Sequence, residues 1–261
     1  MRKSTAHIWH HGSMSTPREL ARVRTIAEIR RLAWEHLEQH GAAALSLRAI
    51  ARELGIVSSA IYRYVPSRDD LLTLLITEGY RDLADTVEQA LSDLPGGDEA
   101  PGRERWLVAS HALRGWAVRR PAAWSLLYGS PVPGYSAPPQ ETTPDGTRVV
   151  LRLGAVLSTA LDRGEVTAVV GPLSGTPGLT PALANELRTV GGEVEGGLAD
   201  AVAPAAVAQV IAGWTALLGA VSSEVFGQLG RHPFGDPDVF ARVQLATIAD
   251  LVGLREVAGA P

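Results

Sequence analysis

Two short helices joined through one glycine constrain this chain more than any other feature. Ser46 caps the segment Leu47-Arg48-Ala49-Ile50-Ala51-Arg52-Glu53-Leu54, and Gly55 closes it. After the bridging Ile56-Val57, Ser58 caps a second helix predicted over residues 59–64. Pro66 stops that helix, because proline donates no backbone hydrogen bond and disfavours a helical predecessor. The intervening tight turn needs a left-handed residue, which glycine adopts without steric cost. Ala51 offers little bulk where the helices cross, and Leu47, Ile50, Leu54, Ile56 and Ile61 supply apolar contacts. This is the pattern of a helix-turn-helix. Its second helix exposes Ser58, Ser59, Tyr62, Arg63 and Tyr64, with no acid among them, a surface suited to phosphates and base edges.

The flanking sequence is helical too. Thr16-Pro17-Arg18-Glu19 is a capping box with proline at N1, and the helix it opens runs to His40 and stops at Gly41. Ile29, Ala33 and Leu37 mark its buried face, with Ile26 and Trp34 beside them. Ser67-x-x-Asp70 opens a long helix to about Leu91, with Leu72, Ile76, Leu83 and Val87 on one side. A Gly- and Pro-rich linker, Asp93–Gly102, precedes helices predicted at 103–120 and 121–129. A proline-rich loop, Ser130–Pro144, then leads into a helix at 146–163. Residues 164–203 carry at most one short helix, around 181–190, and two long helices at 204–230 and 236–253 end the chain. There is no strand-period alternation, internal repeat or heptad, so the predicted class is all-α.

Composition narrows function. A hydrophobic content of 46% with 20% charge describes a globular protein. The absence of cysteine removes disulfides, thiolate metal sites and a cysteine nucleophile together. Residues 1–70 hold 11 basic and 7 acidic residues, net +4, leaving −8 on the remainder of a chain whose total is −4. A basic head on an acidic body suggests a polyanion partner for the head. The tail MRKSTAHIWHHGS has no apolar run long enough for a signal peptide, and a disordered tail is expected there rather than a metal site at His7, His10 and His11. Ala201–Ser223 is uncharged and long enough to span a bilayer, but its Ala/Gly composition, Pro204 and Gln209 favour a helix buried in a bundle or subunit interface. No membrane partner, metal or cofactor is expected.

The stretch Leu45-Ser46-Leu47-Arg48-Ala49-Ile50-Ala51, then Leu54-Gly55-Ile56, then Ile61-Tyr62-Arg63-Tyr64-Val65-Pro66-Ser67-Arg68-Asp69-Asp70-Leu71-Leu72, resembles the amino-terminal pattern of the TetR family of bacterial transcriptional regulators. Leu127–Tyr135 and Trp214–Gly219 resemble the bodies of actinobacterial-type members. The resemblance implies an amino-terminal three-helix helix-turn-helix DNA-binding domain and a carboxy-terminal helical ligand-binding and dimerisation domain. Residues 1–17 would be tail, 18–70 head and 71–261 body. It also implies a cytoplasmic homodimer on a pseudo-palindromic double-stranded operator, answering to a small-molecule effector. Arg48 would clamp a phosphate, and Ser58, Ser59, Ala60 and Arg63 would face the major groove. Tyr62 and Tyr64 would touch backbone and base methyls, and Arg68 would bind phosphate; Ser46 completes this set. Tyr64, Val65 and Arg68 depart from the family's usual histidine, aromatic and lysine. Alternative roles are core bracing for Tyr62 and a solvated helix face for Arg48 and Arg52.

In the body, Trp106, His111, Trp116, Trp124, Tyr128 and Trp214 are candidates to line a site for an apolar or aromatic effector, against the alternative that they are core. Ala212, Gly213, Ala216, Leu217, Gly219, Ala220 and Val221 are candidates for a helical dimer interface, against completion of the monomer core. An enzyme is disfavoured: Gly171-Pro172-Leu173-Ser174-Gly175 has its serine in the wrong place for a nucleophile elbow. Gly191–Gly197 lacks the strand that a dinucleotide site needs. A dimeric regulator without an effector is the remaining alternative.

Overall fold

Two helix starts in the head are set by serine caps. Ser46 accepts a hydrogen bond from the Ala49 amide, and Ser67 accepts one from the Asp70 amide at 3.1 Å while its hydroxyl donates to the Asp70 carboxylate. The stops also follow the sequence, with Gly41 and Gly55 left-handed at φ +72° and +68°. The computed structural model describes residues 17–166, 182, 204–230 and 235–254. Among them the chain forms nine α-helices and no strand. These are α1 (Pro17–His40), α2 (Leu47–Glu53), α3 (Ser58–Ile61), α4 (Arg68–Ser92), α5 (Gly102–Arg119), α6 (Pro121–Tyr128), α7 (Pro139–Asp162), α8 (Pro204–Val225) and α9 (Pro237–Leu251), with 3-10 turns at Ala42–Ala44 and Gly97–Glu99. The tail, the Thr16 cap, the glycine-rich motifs at 171–175 and 191–197 and, but for residue 182, the short helix expected at 181–190 lie outside the described residues.

Several boundaries differ from expectation. The second helix of the motif is shorter: it ends at Ile61, and the amides of Arg63 and Tyr64 turn back to the carbonyls of Ala60 and Ile61. Pro66 withholds the next donor, so the chain tightens into turns rather than adding a helical turn. Its N-cap is Val57 rather than Ser58, and no side-chain bond caps it. In the body, the loop expected to reach Pro144 ends at Pro138, and α7 begins at Pro139. Proline is well placed at that first position, where an amide has no helical partner. Pro144 follows inside the helix but on its exposed first turns, where the carbonyl that it leaves without a donor belongs to the exposed Gln140. The last two helices end at Val225 and Leu251, a few residues early, before left-handed Gly227 and Gly253.

Two apolar cores result, and α4 belongs to both. Leu71, Leu72 and Leu75 pack with Ile29, Ala33, Leu37, Ile50, Ala51, Ile61 and Val65 in the head. Farther along the same helix, Leu83, Ala84, Val87 and Leu91 pack with the tryptophans of α5 and α6 and with α7, α8 and α9. The head core also takes in Ala122, Leu126, Val132 and Tyr135 from beyond α5, and Trp34 touches both cores. The Tyr135 and Thr73 hydroxyls are 2.9 Å apart, pinning the loop after α6 to α4. No described helix is long and apolar enough to cross a membrane.

Candidate nucleic-acid interface

Alternation of buried and exposed positions through the motif creates an outward-facing polar row. Ile61 and Val65 are buried at 0% and 3%, so Val65 fills the head core despite lacking an aromatic ring. Ser58 and Ser59 before them and Tyr62 and Arg63 between them are exposed, while Ala60 and Tyr64 are partly covered. Arg48 of α2 is exposed and Ser46 is partly covered by its capping role. Tyr62, at 42% exposure, is no brace for the core.

Arg68 stands apart. Its guanidinium donates to the Ala42, Ala43 and Leu45 carbonyls at 2.9, 3.3 and 3.2 Å, tying the start of α4 to the turn that ends α1. A side chain so engaged organises the head and has fewer donors left for a phosphate. Arg22 was not among the sequence candidates, yet its Nη1 donates to the Arg63 carbonyl at 3.1 Å and its guanidinium lies 5.5 Å from the Tyr64 ring centre. It therefore holds the turn that carries the outward residues. Its only sequence signal was its basic charge. His36, nearly buried on α1, bonds Glu53 of α2 at 2.6 Å and joins the first two helices.

The body candidates separate into groups. Trp124, Tyr128 and Trp214 come together: the Tyr128 ring centre lies 4.5 Å from that of Trp124 and 6.0 Å from that of Trp214. Tyr80 of α4 joins them at 5.8 Å, one helical turn beyond Ile76 on a face the sequence already marked. Burial pushes the Tyr128 phenol well above its ordinary range. Trp116 is turned away to α4, where its indole N–H donates to Asp82 at 2.6 Å. Trp106 is fully buried against Gly213, where an added Cβ would lie 3.1 Å from its ring and 2.5 Å from Val252. Open grooves of about 530 and 540 Å³ flank the head–body seam, one between α1 and α6 and the other around Arg30, Thr77 and Arg81. None of the six candidates lines either groove.

His111 faces Arg114, Arg242 and Asp238. Burial, with repulsion from the two arginines, lowers its pKa below the ordinary 6.5, and Asp238 opposes that shift. A lowered value in the folded chain means that the unfolded chain binds the proton first, so this site's stability is intact at neutral pH and is lost as pH falls below 6.5. His111→Gln is expected to flatten that acid limb, as read from denaturation midpoints between about pH 7.5 and about pH 5.

The dimer candidates divide between the two faces of α8. Gly213, Leu217, Ala220 and Val221 are buried within the chain's own core, so they complete the monomer. Ala212 and Gly219 are exposed, and Ala216 is partly covered. The outward stripe is Ile211, Thr215 and Gly219, matched on α9 by Val239, Val243, Thr247 and Leu251, both at four-residue spacing.

A basic helix-turn-helix head continuous through one helix with an all-helical body defines a class of bacterial DNA-binding regulator. Comparison with known proteins gives the family. Residues 29–75 match the family described as bacterial regulatory proteins, tetR family, and residues 106–248 match the tetracyclin repressor-like C-terminal domain. The chain is 40% identical over 239 residues to the HTH-type transcriptional regulator Rv1816 of Mycobacterium tuberculosis (strain ATCC 25618 / H37Rv), covering 88% of this chain and 94% of that protein. The same figures hold for the HTH-type transcriptional regulator Mb1846 of Mycobacterium bovis. Among solved structures, regulatory protein SCO4313 superposes with a TM-score of 0.67 at 31% identity, over 90% of this chain and all of that one. A tetR-family regulatory protein from Rhodococcus RHA1 shares the fold, with a TM-score of 0.58 at 16% identity over 89% and 99% of the two chains. The chain belongs to the TetR family of transcriptional regulators.

Proposed function

We propose that this regulator is a cytoplasmic homodimeric repressor that binds a pseudo-palindromic operator and answers to a small apolar or aromatic effector. The observation that carries the reading is the acid-free outward row Ser58, Ser59, Tyr62 and Arg63, set on buried Ile61 and Val65. Arg48 adds a phosphate contact from α2. The exposed stripes of α8 and α9 support pairing with a second copy through a four-helix, two-fold interface. Such a dimer fits DNA when its recognition segments are about one helical turn apart, roughly 34–36 Å. An effector that prefers another spacing weakens DNA binding by its differential affinity for the two states. α4 is the lever, because it is packed into both cores. The cluster of Trp124, Tyr128, Trp214 and Tyr80 supports an aromatic effector. A second reading, a dimer without effector, is favoured by the burial of Trp106, Trp116 and Trp124 in packing contacts.

Selection of bound DNA from a random pool tests the proposal. Recovery of one inverted repeat, bound by two chains and released as salt rises, is the expected result. Recovery of no preferred sequence would overturn the operator reading, and an operator complex indifferent to a panel of aromatic compounds would favour the second reading.

A further inference from the structure

α3 begins on a residue that cannot cap it. Its N-cap is Val57, extended at φ −64° and ψ 138°, and no side-chain hydrogen bond caps the helix. The Ala60 amide turns back to the Val57 carbonyl at 2.8 Å, so the first turn closes on backbone alone. Serine, threonine, asparagine or aspartate here would accept a hydrogen bond from that turn, and valine forgoes it. The core gains nothing in exchange. Ile56 packs against the head core, whereas Val57 is 71% exposed, more than any other large apolar side chain among the described residues.

This valine stands at the head of the outward polar row. It directly precedes the exposed Ser58 and Ser59, and no acid lies between Ile56 and Tyr64. In a helix-turn-helix the N-terminal residues of the second helix meet base edges in the major groove. What a side chain reads there follows from its chemistry. Serine, tyrosine and arginine exchange hydrogen bonds, but valine has neither donor nor acceptor. The groups that base pairs present in the major groove are hydrogen-bond donors and acceptors with one exception, the C5-methyl of thymine.

We propose that Val57 is a specificity-determining residue that packs on the C5-methyl of one thymine in each half of the operator. The inference rests on the operator-binding reading above and deepens it by naming the base that the start of α3 selects. Cytosine is disfavoured at that position, because it lacks the methyl and its amino group would lose water to a side chain that cannot accept a hydrogen bond.

Replacement of thymine by deoxyuridine, one position at a time in one half of the selected operator, tests this. The exchange removes the methyl group and leaves every hydrogen-bonding group in place. At one thymine the full chain is expected to bind about three- to fivefold more weakly, the effect of one buried methyl. Val57→Ser, which restores a cap and so preserves the fold, should bind both forms alike at that position, with a thermal midpoint no lower than that of the parent chain. Tyr62→Ala should keep the discrimination there, which separates the valine from a methyl contact made by the tyrosine ring. The inference is overturned if no thymine of the operator responds to loss of its methyl, or if Val57→Ser keeps the full ratio. Selection that recovers no preferred sequence overturns the operator reading itself, so the two failures are distinguishable.

Discussion

Trp124→Ala is expected to lower the free energy of unfolding by about 3–5 kcal/mol, the range for removing a buried tryptophan. The side chain is fully buried in the body core, its indole N–H donates to Ser222 of α8 at 3.1 Å, and its ring packs 4.5 Å from that of Tyr128. One truncation therefore empties a large volume and leaves the contacts between α6 and α8 unsupported. Differential scanning calorimetry should show the midpoint falling by roughly 6–15 °C. Trp124→Phe, which keeps most of the apolar area and loses the hydrogen bond, should fall by much less. An unchanged midpoint in the alanine variant would mean that Trp124 lines an open site instead of filling the core.

Arg63→Ala is expected to weaken operator binding about 5- to 150-fold, the loss of about 1–3 kcal/mol that follows removal of a base-reading arginine. The side chain is exposed at the end of the recognition segment, and Arg22 is bound to the Arg63 backbone rather than to its guanidinium. Specificity at one base pair should relax while the salt slope stays nearly constant, whereas loss of a phosphate contact, the role proposed for Arg48, should weaken all sequences alike and reduce the slope by about one. Fluorescence anisotropy on the selected operator and on single-base variants, at two salt concentrations, separates these patterns. Arg22→Ala serves as the control for indirect effects, because it frees the turn without removing a base contact. A loss in Arg63→Ala that is equal on every sequence would remove the base-reading role.

The local signals in the sequence were caps, glycines and apolar spacing, and these settle where most helices begin and which faces they bury. Ser46, Ser67, Gly41 and Gly55 all act in the structure as their residue types dictate. What the sequence hides is direction across long separations. Nothing near Arg68 in the chain indicates that its guanidinium turns back to carbonyls 23–26 residues away rather than out to solvent. Trp106, Trp116 and Trp124 look alike in sequence, yet they meet Gly213, Asp82 and Ser222 respectively. The apolar run of α8 likewise gives no sign of which side its own core takes. That depends on α5 and Val252, which reach the Gly213 face and leave Ile211 and Gly219 outside.

The sharing of α4 between two cores bears on how this architecture diversifies. A head can be exchanged between relatives as a working module only if the seam spares Leu71, Leu72 and Leu75, which close the head from within α4. It must also leave Leu83 onward to the recipient body. The workable joint is thus confined to about the two turns around Ile76–Gly79, and even there the graft inherits an interface with Ala122, Leu126 and Tyr135. Recombination within this part of the family should therefore favour breakpoints inside a helix over those in the loops that flank it.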